Sequence, residues 1–142
     1  MNKVLSNLKL VGIVLISFIV ITFSSCAKKM VFSTSSVTPA AVGSVKINTD
    51  DNKNHTIEVD VINLAPVDQL TPPKKTYVVW MVADNNETQN IGQLKSSSGF
   101  LTKAFKASLN TVTSIKPVSF FITAEDEGNV KYPGTMLVLR TQ

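Results

Sequence analysis

A chain of 142 residues with one cysteine has room for a single domain plus appendages and cannot close an internal disulfide. Its net charge of +4 and pI of about 9.3 raise nucleic acid as a partner. Two of the 14 basic residues, Lys3 and Lys9, precede an apolar run, and the other 12 are interspersed with 10 acids, with no cluster beyond Lys28–Lys29 and Lys74–Lys75, so no nucleic-acid partner is expected.

Residues 10 to 25, LVGIVLISFIVITFSS, carry no charge, and with Lys3 and Lys9 ahead of them they form a basic start and an apolar run of targeting type. The fully apolar part, Leu10 to Ile21 apart from Gly12 and Ser17, is shorter than the roughly 20 residues that span a bilayer. A removable leader is expected, with a retained anchor helix as the competing reading. The mean hydropathy of +0.17 owes part of its positive sign to this segment.

The stretch TFSSCAKK follows. Phe23-Ser24-Ser25-Cys26 resembles the lipobox of bacterial lipoproteins, in which small residues precede a cysteine placed directly after the apolar run. Ser24, Ser25 and Ala27 fit that pattern, and Phe23 is bulkier than the Leu common at its position. The resemblance implies cleavage between Ser25 and Cys26, a diacylglycerol on the Cys26 sulfur, and acylation of the new N-terminus. Two or three acyl chains anchor a protein essentially permanently, whereas one does not. A thioether sulfur is neither a nucleophile nor a thiolate ligand. The Ser25 to Lys28 pair, spaced like a catalytic Ser-x-x-Lys, straddles the cut. Ala27-Lys28-Lys29-Met30 lacks the acidic residues that mark some surface-exported lipoproteins, so the resemblance implies an outer-membrane protein facing the periplasm. Lys28 and Lys29 would then sit near anionic headgroups or be solvated residues of a tether.

Residues 27 to 42, rich in Ser, Thr, Ala and Pro, read as a flexible tether, with Val31 and Phe32 able to dock as a short edge strand. From residue 43 the period becomes two. Val45 and Ile47 alternate with Lys46 and Asn48, TDDNKN supplies turn formers, and Ile57, Val59 and Val61 alternate with Glu58 and Asp60. This predicts a β-hairpin. APVDQLTPPKK carries three prolines and predicts a crossover loop. TYVVWMVA, residues 76–83, is apolar on both faces, as a central buried strand is. DNNETQ predicts a turn and NIGQLKS a short strand. Residues 98–110 carry a helix-like stripe (Phe100, Leu101, Ala104, Phe105, Ser108, Leu109), but all flanking signals are β, so strand or turn is favoured, with one helical turn near Lys106 to Asn110. PVSFFITAE predicts a strand, DEGNVKYPG a loop, and TMLVLRT a closing strand. Some seven strands without a helix pair predict an all-β fold, an antiparallel β-sandwich of Ig-like or cupredoxin-like style over residues 43–142.

Read as a series, Tyr77-Val-Val-Trp80-Met-Val, the turn Asp84 to Glu87, Ile91-Gly92-Gln93-Leu94, Gly99, Ile122-Thr123-Ala124-Glu125 and Pro133-Gly134 resemble the extracytoplasmic C-terminal domain of the anti-sigma-K factor family. The resemblance implies a β fold in the cell envelope. It does not extend to that family's zinc-binding helical domain or its transmembrane helix, so sequestration of a sigma factor is not implied. The whole chain also looks like small envelope lipoproteins.

No convergent catalytic set accompanies this fold, and a non-enzymatic protein is expected, with no cofactor and no metal. His55 stands beside DDNKN without a second histidine or a free thiol to complete a zinc or copper shell. Glu125, Asp126 and Glu127 form the only acidic triplet, and adjacent strand residues point in different directions, which predicts a solvated hairpin tip or a weak calcium contact rather than acid–base chemistry. Trp80 either fills the sandwich core or, with Tyr132 and its loop, lines a ligand surface. The expected function is a non-catalytic, lipid-anchored envelope module that binds an envelope protein or senses the envelope. The alternative is a lipoprotein that binds a small ligand or a cell-wall component.

Overall fold

Strands that bury every second side chain must stack face to face to hide their apolar sides. The computed structural model describes residues 27–97 and 106–142. Residues 1–26, with the leader and Cys26, and residues 98–105, with most of the helix-like stripe, lie outside the described residues.

Nine strands are described: β1 (Lys28–Val31), β2 (Val42–Thr49), β3 (His55–Ile62), β4 (Thr76–Ala83), β5 (Thr88–Gln93), β6 (Lys95–Ser97), β7 (Lys106–Thr113), β8 (Pro117–Glu125) and β9 (Leu137–Arg140). They form a five-stranded sheet, β1-β2-β3-β7-β6, and a four-stranded sheet, β5-β4-β8-β9, with every pairing antiparallel. The protein is an all-β sandwich. Taking β2, β3, β7 and β6 as A, B, E and D, and β4, β8 and β9 as C, F and G, gives the strand order of an immunoglobulin constant-type domain, with β1 and β5 added at the edges.

The inner faces follow the alternation. Val45 and Ile47 from β2, Ile57, Val59 and Val61 from β3, and Ala107 from β7 meet Tyr77, Val79 and Met81 from β4 and Phe120 and Ile122 from β8. Each large aliphatic or aromatic side chain buried this way contributes roughly 1.5–3 kcal/mol. The 63–75 connection closes one end of the core with Leu64 and Leu70, and the Tyr77 hydroxyl donates to the Ala65 carbonyl at 2.8 Å.

Both long sides of the sandwich are stitched. On one, β5 runs into β6 through buried Leu94, so the chain changes sheets within a single extended stretch. On the other, Phe32 bridges to Thr141, Ser33 N donates to the Arg140 carbonyl at 2.8 Å, and Gln142 N donates to the Val31 carbonyl at 3.2 Å. Such stitching occupies backbone groups that an open sheet edge would offer to another chain.

Three expectations need correction. NIGQLKS, expected as one strand, is the end of β5 followed by β6, and together with β1 this raises seven strands to nine. The expected tether, residues 27–42, is mostly part of the sandwich: Lys28–Val31 pairs with Ser44–Ile47, and Phe32, Ser35, Thr38 and Ala41 are buried. Its Ser and Thr residues act as turn formers rather than solvated spacers, since the Ser35 hydroxyl accepts N–H groups from Val37 and Thr38. The helical turn expected near Lys106 to Asn110 is β7, in which Ala107 and Leu109 alternate with exposed Lys106, Ser108 and Asn110 beside β3. Pairing with a neighbouring strand has overridden the local helical spacing.

Candidate functional site

The outer face of the four-stranded sheet carries the least ordinary chemistry in the described chain. In β4, Tyr77, Val79, Met81 and Ala83 face the opposite sheet, so Val78 and Trp80 face away from it. Directly across on β8, Thr123 stands opposite Val78 and Phe121 opposite Trp80. A large apolar indole on an outward face would ordinarily be solvated, yet Trp80 is 0% exposed.

A polar relay holds it there. Trp80 Nε1 donates to Thr123 Oγ1 at 2.8 Å, and the Thr123 hydroxyl donates to Glu125 Oε1 at 2.5 Å. The Gly134 backbone N–H donates to the same Glu125 oxygen at 2.7 Å. An indole N–H can only donate, a carboxylate can only accept, and a hydroxyl can do both, so this order of residue types satisfies every proton with a single polarity. The Trp80 ring stacks on Phe121 with centroids 6.1 Å apart and planes 12° from parallel. The Arg140 guanidinium lies 5.8 Å from the Phe121 centroid and extends the stack.

The segment between β8 and β9, residues 126–136, straps this face. One fixed point is Gly134 on Glu125. The other is Asn90, whose Nδ2 donates to the carbonyls of Gly128 and Val130 at 3.0 Å each, while its Oδ1 accepts the Gly92 N–H at 3.0 Å. A bulge in β5 makes this clamp. Val79 pairs with Gly92 and Trp80 with Asn90, so Ile91 is the extra residue, and Gln93 and Asn90 both reach the outer face. Gly92 takes φ of +132°, which disfavours any side chain there. The strap lies close. A Cβ on Gly134 would meet Glu125 Oε2 at 2.6 Å, and one on Gly128 would overlap the Gln93 amide.

The sequence candidates fall out as follows. Trp80 and Tyr132 are not brought together as a ligand surface: Trp80 is sealed, and Tyr132 is 72% exposed on the strap with Lys131 Nζ 5.4 Å from its ring centroid. Trp80 does not fill the inter-sheet core either, because its place in the alternation puts it on the opposite face. The acidic triplet is split. Glu125 is buried in the relay, Asp126 is exposed and accepts Lys74 Nζ at 2.7 Å, and Glu127 is exposed. The expectation of a wholly solvated tip therefore fails at Glu125, because β8 continues through it onto the strapped face. His55 Nδ1 lies 2.8 Å from Thr49 Oγ1 at the β2–β3 turn. In that turn Asn54 donates backbone and side-chain N–H groups to Asp50, and these bonds hold the Asp50 carboxyl below its ordinary range. Ser25 and Cys26 lie outside the described residues. Among the described residues, no three His, Cys, Asp or Glu side chains gather where they could hold a metal ion.

Sequence reasoning missed the relay and the clamp. Their signal is the i, i+2 spacing of Thr123 and Glu125, which puts both on one face of a strand, together with the Asn-Ile-Gly of the bulge. Trp80, Gly92, Thr123, Glu125 and Gly134 meet in this relay and its clamp. Together they seal a sheet face, with Glu125 Oε1 occupied by two donors.

The fold and site together define an immunoglobulin-like sandwich with one strapped outer face. No family model, curated protein or solved structure matches the chain.

Proposed function

We propose that this protein is a lipid-anchored component of a bacterial cell envelope, exported by residues 1–25 and acylated on Cys26, whose sandwich is a non-catalytic interaction module. The lipobox-like sequence supports the anchor.

The observation that carries the interaction reading lies on the outer face of the five-stranded sheet. Val42 and Ile62 are directly paired there and are 57% and 41% exposed, and Val31, opposite Ser44 on the same face, is 49% exposed. These three β-branched side chains share one face of the sheet, with Val31 set diagonally from Val42, and offer exposed apolar surface of the kind that protein contacts use. The buried carboxylate, by contrast, is engaged inside the relay. A photo-crosslinking residue at Val42 tests the reading in intact envelopes. A discrete protein adduct at Val42, absent at Thr56 on the polar part of the same face, is expected. Equal labelling at both positions, or none at either, would refute the interaction module.

A further inference from the structure

The start of β1 has a consequence for how the domain sits, and it rests on the reading that Cys26 is lipidated. Consecutive Cα atoms are 3.8 Å apart, so Cys26 lies within about 7 Å of Lys28. Lys28 is not a mobile spacer, because it pairs with Ile47 in the five-stranded sheet, and residues 29–31 continue that pairing. Only Ala27 separates the cysteine from the folded strand.

The strands then show which end is anchored. Lys28 begins β1 at the end where Thr49 pairs with His55, His55 with Thr113, and Ala83 with Pro117. The turns 50–54, 84–87 and 114–116 therefore gather at that end. At the opposite end lie the 63–75 connection, the pair Val42–Ile62 and the residue Glu125 that roots the strap. The eight residues of β3 alone separate the ends by about 24 Å. An anchor within about 7 Å of one end keeps that end at the bilayer, and with β1 intact the other end reaches the bilayer only if the sandwich lies along the membrane.

We infer that the sandwich stands on the membrane by the end carrying the 50–54, 84–87 and 114–116 turns, with phospholipid headgroups as their partner, and presents the Val31–Val42–Ile62 surface away from the bilayer. The chemistry of that end fits a headgroup layer. Lys28, Lys53 and Lys116 share that end with Asp50, Asp51, Asp84 and Glu87, all exposed, and so offer both signs to zwitterionic headgroups. Two exposed valines, Val112 and Val118, flank the 114–116 turn and suit the more apolar boundary beneath. Because the covalent anchor sets the placement, it holds in high salt, unlike a placement by surface charge.

The test uses the mature acylated protein, whose only native sulfhydryl carries the lipid. Asn52→Cys and Gln69→Cys each supply one exposed thiol for an environment-sensitive fluorophore, one at either end. The proteins are placed in phosphatidylethanolamine/phosphatidylglycerol vesicles with a short-range nitroxide quencher on the headgroup. The roughly 24 Å between ends predicts at least roughly threefold more quenching at position 52 than at 69. Lys116→Cys and Asp68→Cys should repeat that order. A Gly/Ser insert of about ten residues after Ala27, with a mean reach of roughly 17 Å, should erase the difference. Equal or reversed quenching in protein whose intact mass shows the acyl chains would overturn this orientation and leave the anchor standing, as would a difference that survives the insert. Protein without acyl chains, not bound to vesicles, would overturn both.

Discussion

Thr123→Val removes one oxygen from the relay and changes little else, since valine and threonine have nearly the same shape. The substitution leaves Trp80 Nε1–H buried without an acceptor, a cost of about 1–3 kcal/mol, and deletes a hydrogen bond to a carboxylate, a loss of about 1.5–3 kcal/mol. Glu125 keeps its bond from Gly134, which offsets part of the second loss. A net destabilisation of about 3 kcal/mol follows, a large share of the 5–15 kcal/mol typical of a domain. Urea unfolding followed by the emission of Trp80, the only tryptophan, measures it directly. The native emission should also shift to longer wavelength, because the strap over the indole loosens. Thr56→Val, at an exposed strand position, is the control and should stay within about 0.5 kcal/mol of the parent. If Thr123→Val also stays within that range, with unchanged emission, the relay does not hold the strap and the reasoning fails.

Gly134→Ala places a methyl group against the Glu125 carboxylate and should cost about 1–3 kcal/mol, with faster proteolytic cleavage between residues 126 and 136. Parent-like resistance to cleavage would contradict the close fit of the strap. Burial pushes the Tyr77 phenol up to about 12 from its ordinary 10.0, so the folded state favours the neutral form. That stabilisation is fully present below pH 10 and is lost as pH rises from 10 toward 12. Tyr77→Phe should be less stable at neutral pH by about 1 kcal/mol, through the lost bond to Ala65, and should lack this part of the alkaline decline in a urea series. An identical decline in both proteins would show that Tyr77 is not its source. Lys74→Ala should change stability by under about 1 kcal/mol in the same assay, because the Asp126 partner is largely solvated.

The sandwich was legible wherever one face of a strand is wet. The β2–β3 hairpin could be read from Val45, Ile47, Ile57, Val59 and Val61, and β4 and β8 fall on the ranges that composition predicts. The unbroken apolar run of β4 did announce burial on both faces. It did not reveal what covers the second face, because the cover is a loop of ordinary turn composition held by backbone groups of Gly128, Val130 and Gly134. β1 is legible only in part, as a short edge strand at Val31 and Phe32, for a related reason. Four edge residues carry too short a pattern, and Phe32 and Ser33 are held by partners over 100 residues away in the chain, at Thr141 and Arg140. Trp80 cannot be given a face without the sheet register, since residues 79 and 80 differ in sequence by one step and in environment by a whole face.

Intact mass spectrometry of the protein purified from envelopes tests the lipid anchor most directly. The expected species begins at Cys26, is heavier than the residue 26–142 polypeptide by a diacylglycerol and an acyl chain, and disappears in Cys26→Ser. A membrane-bound protein that retains residues 1–25 and an unmodified cysteine would contradict it.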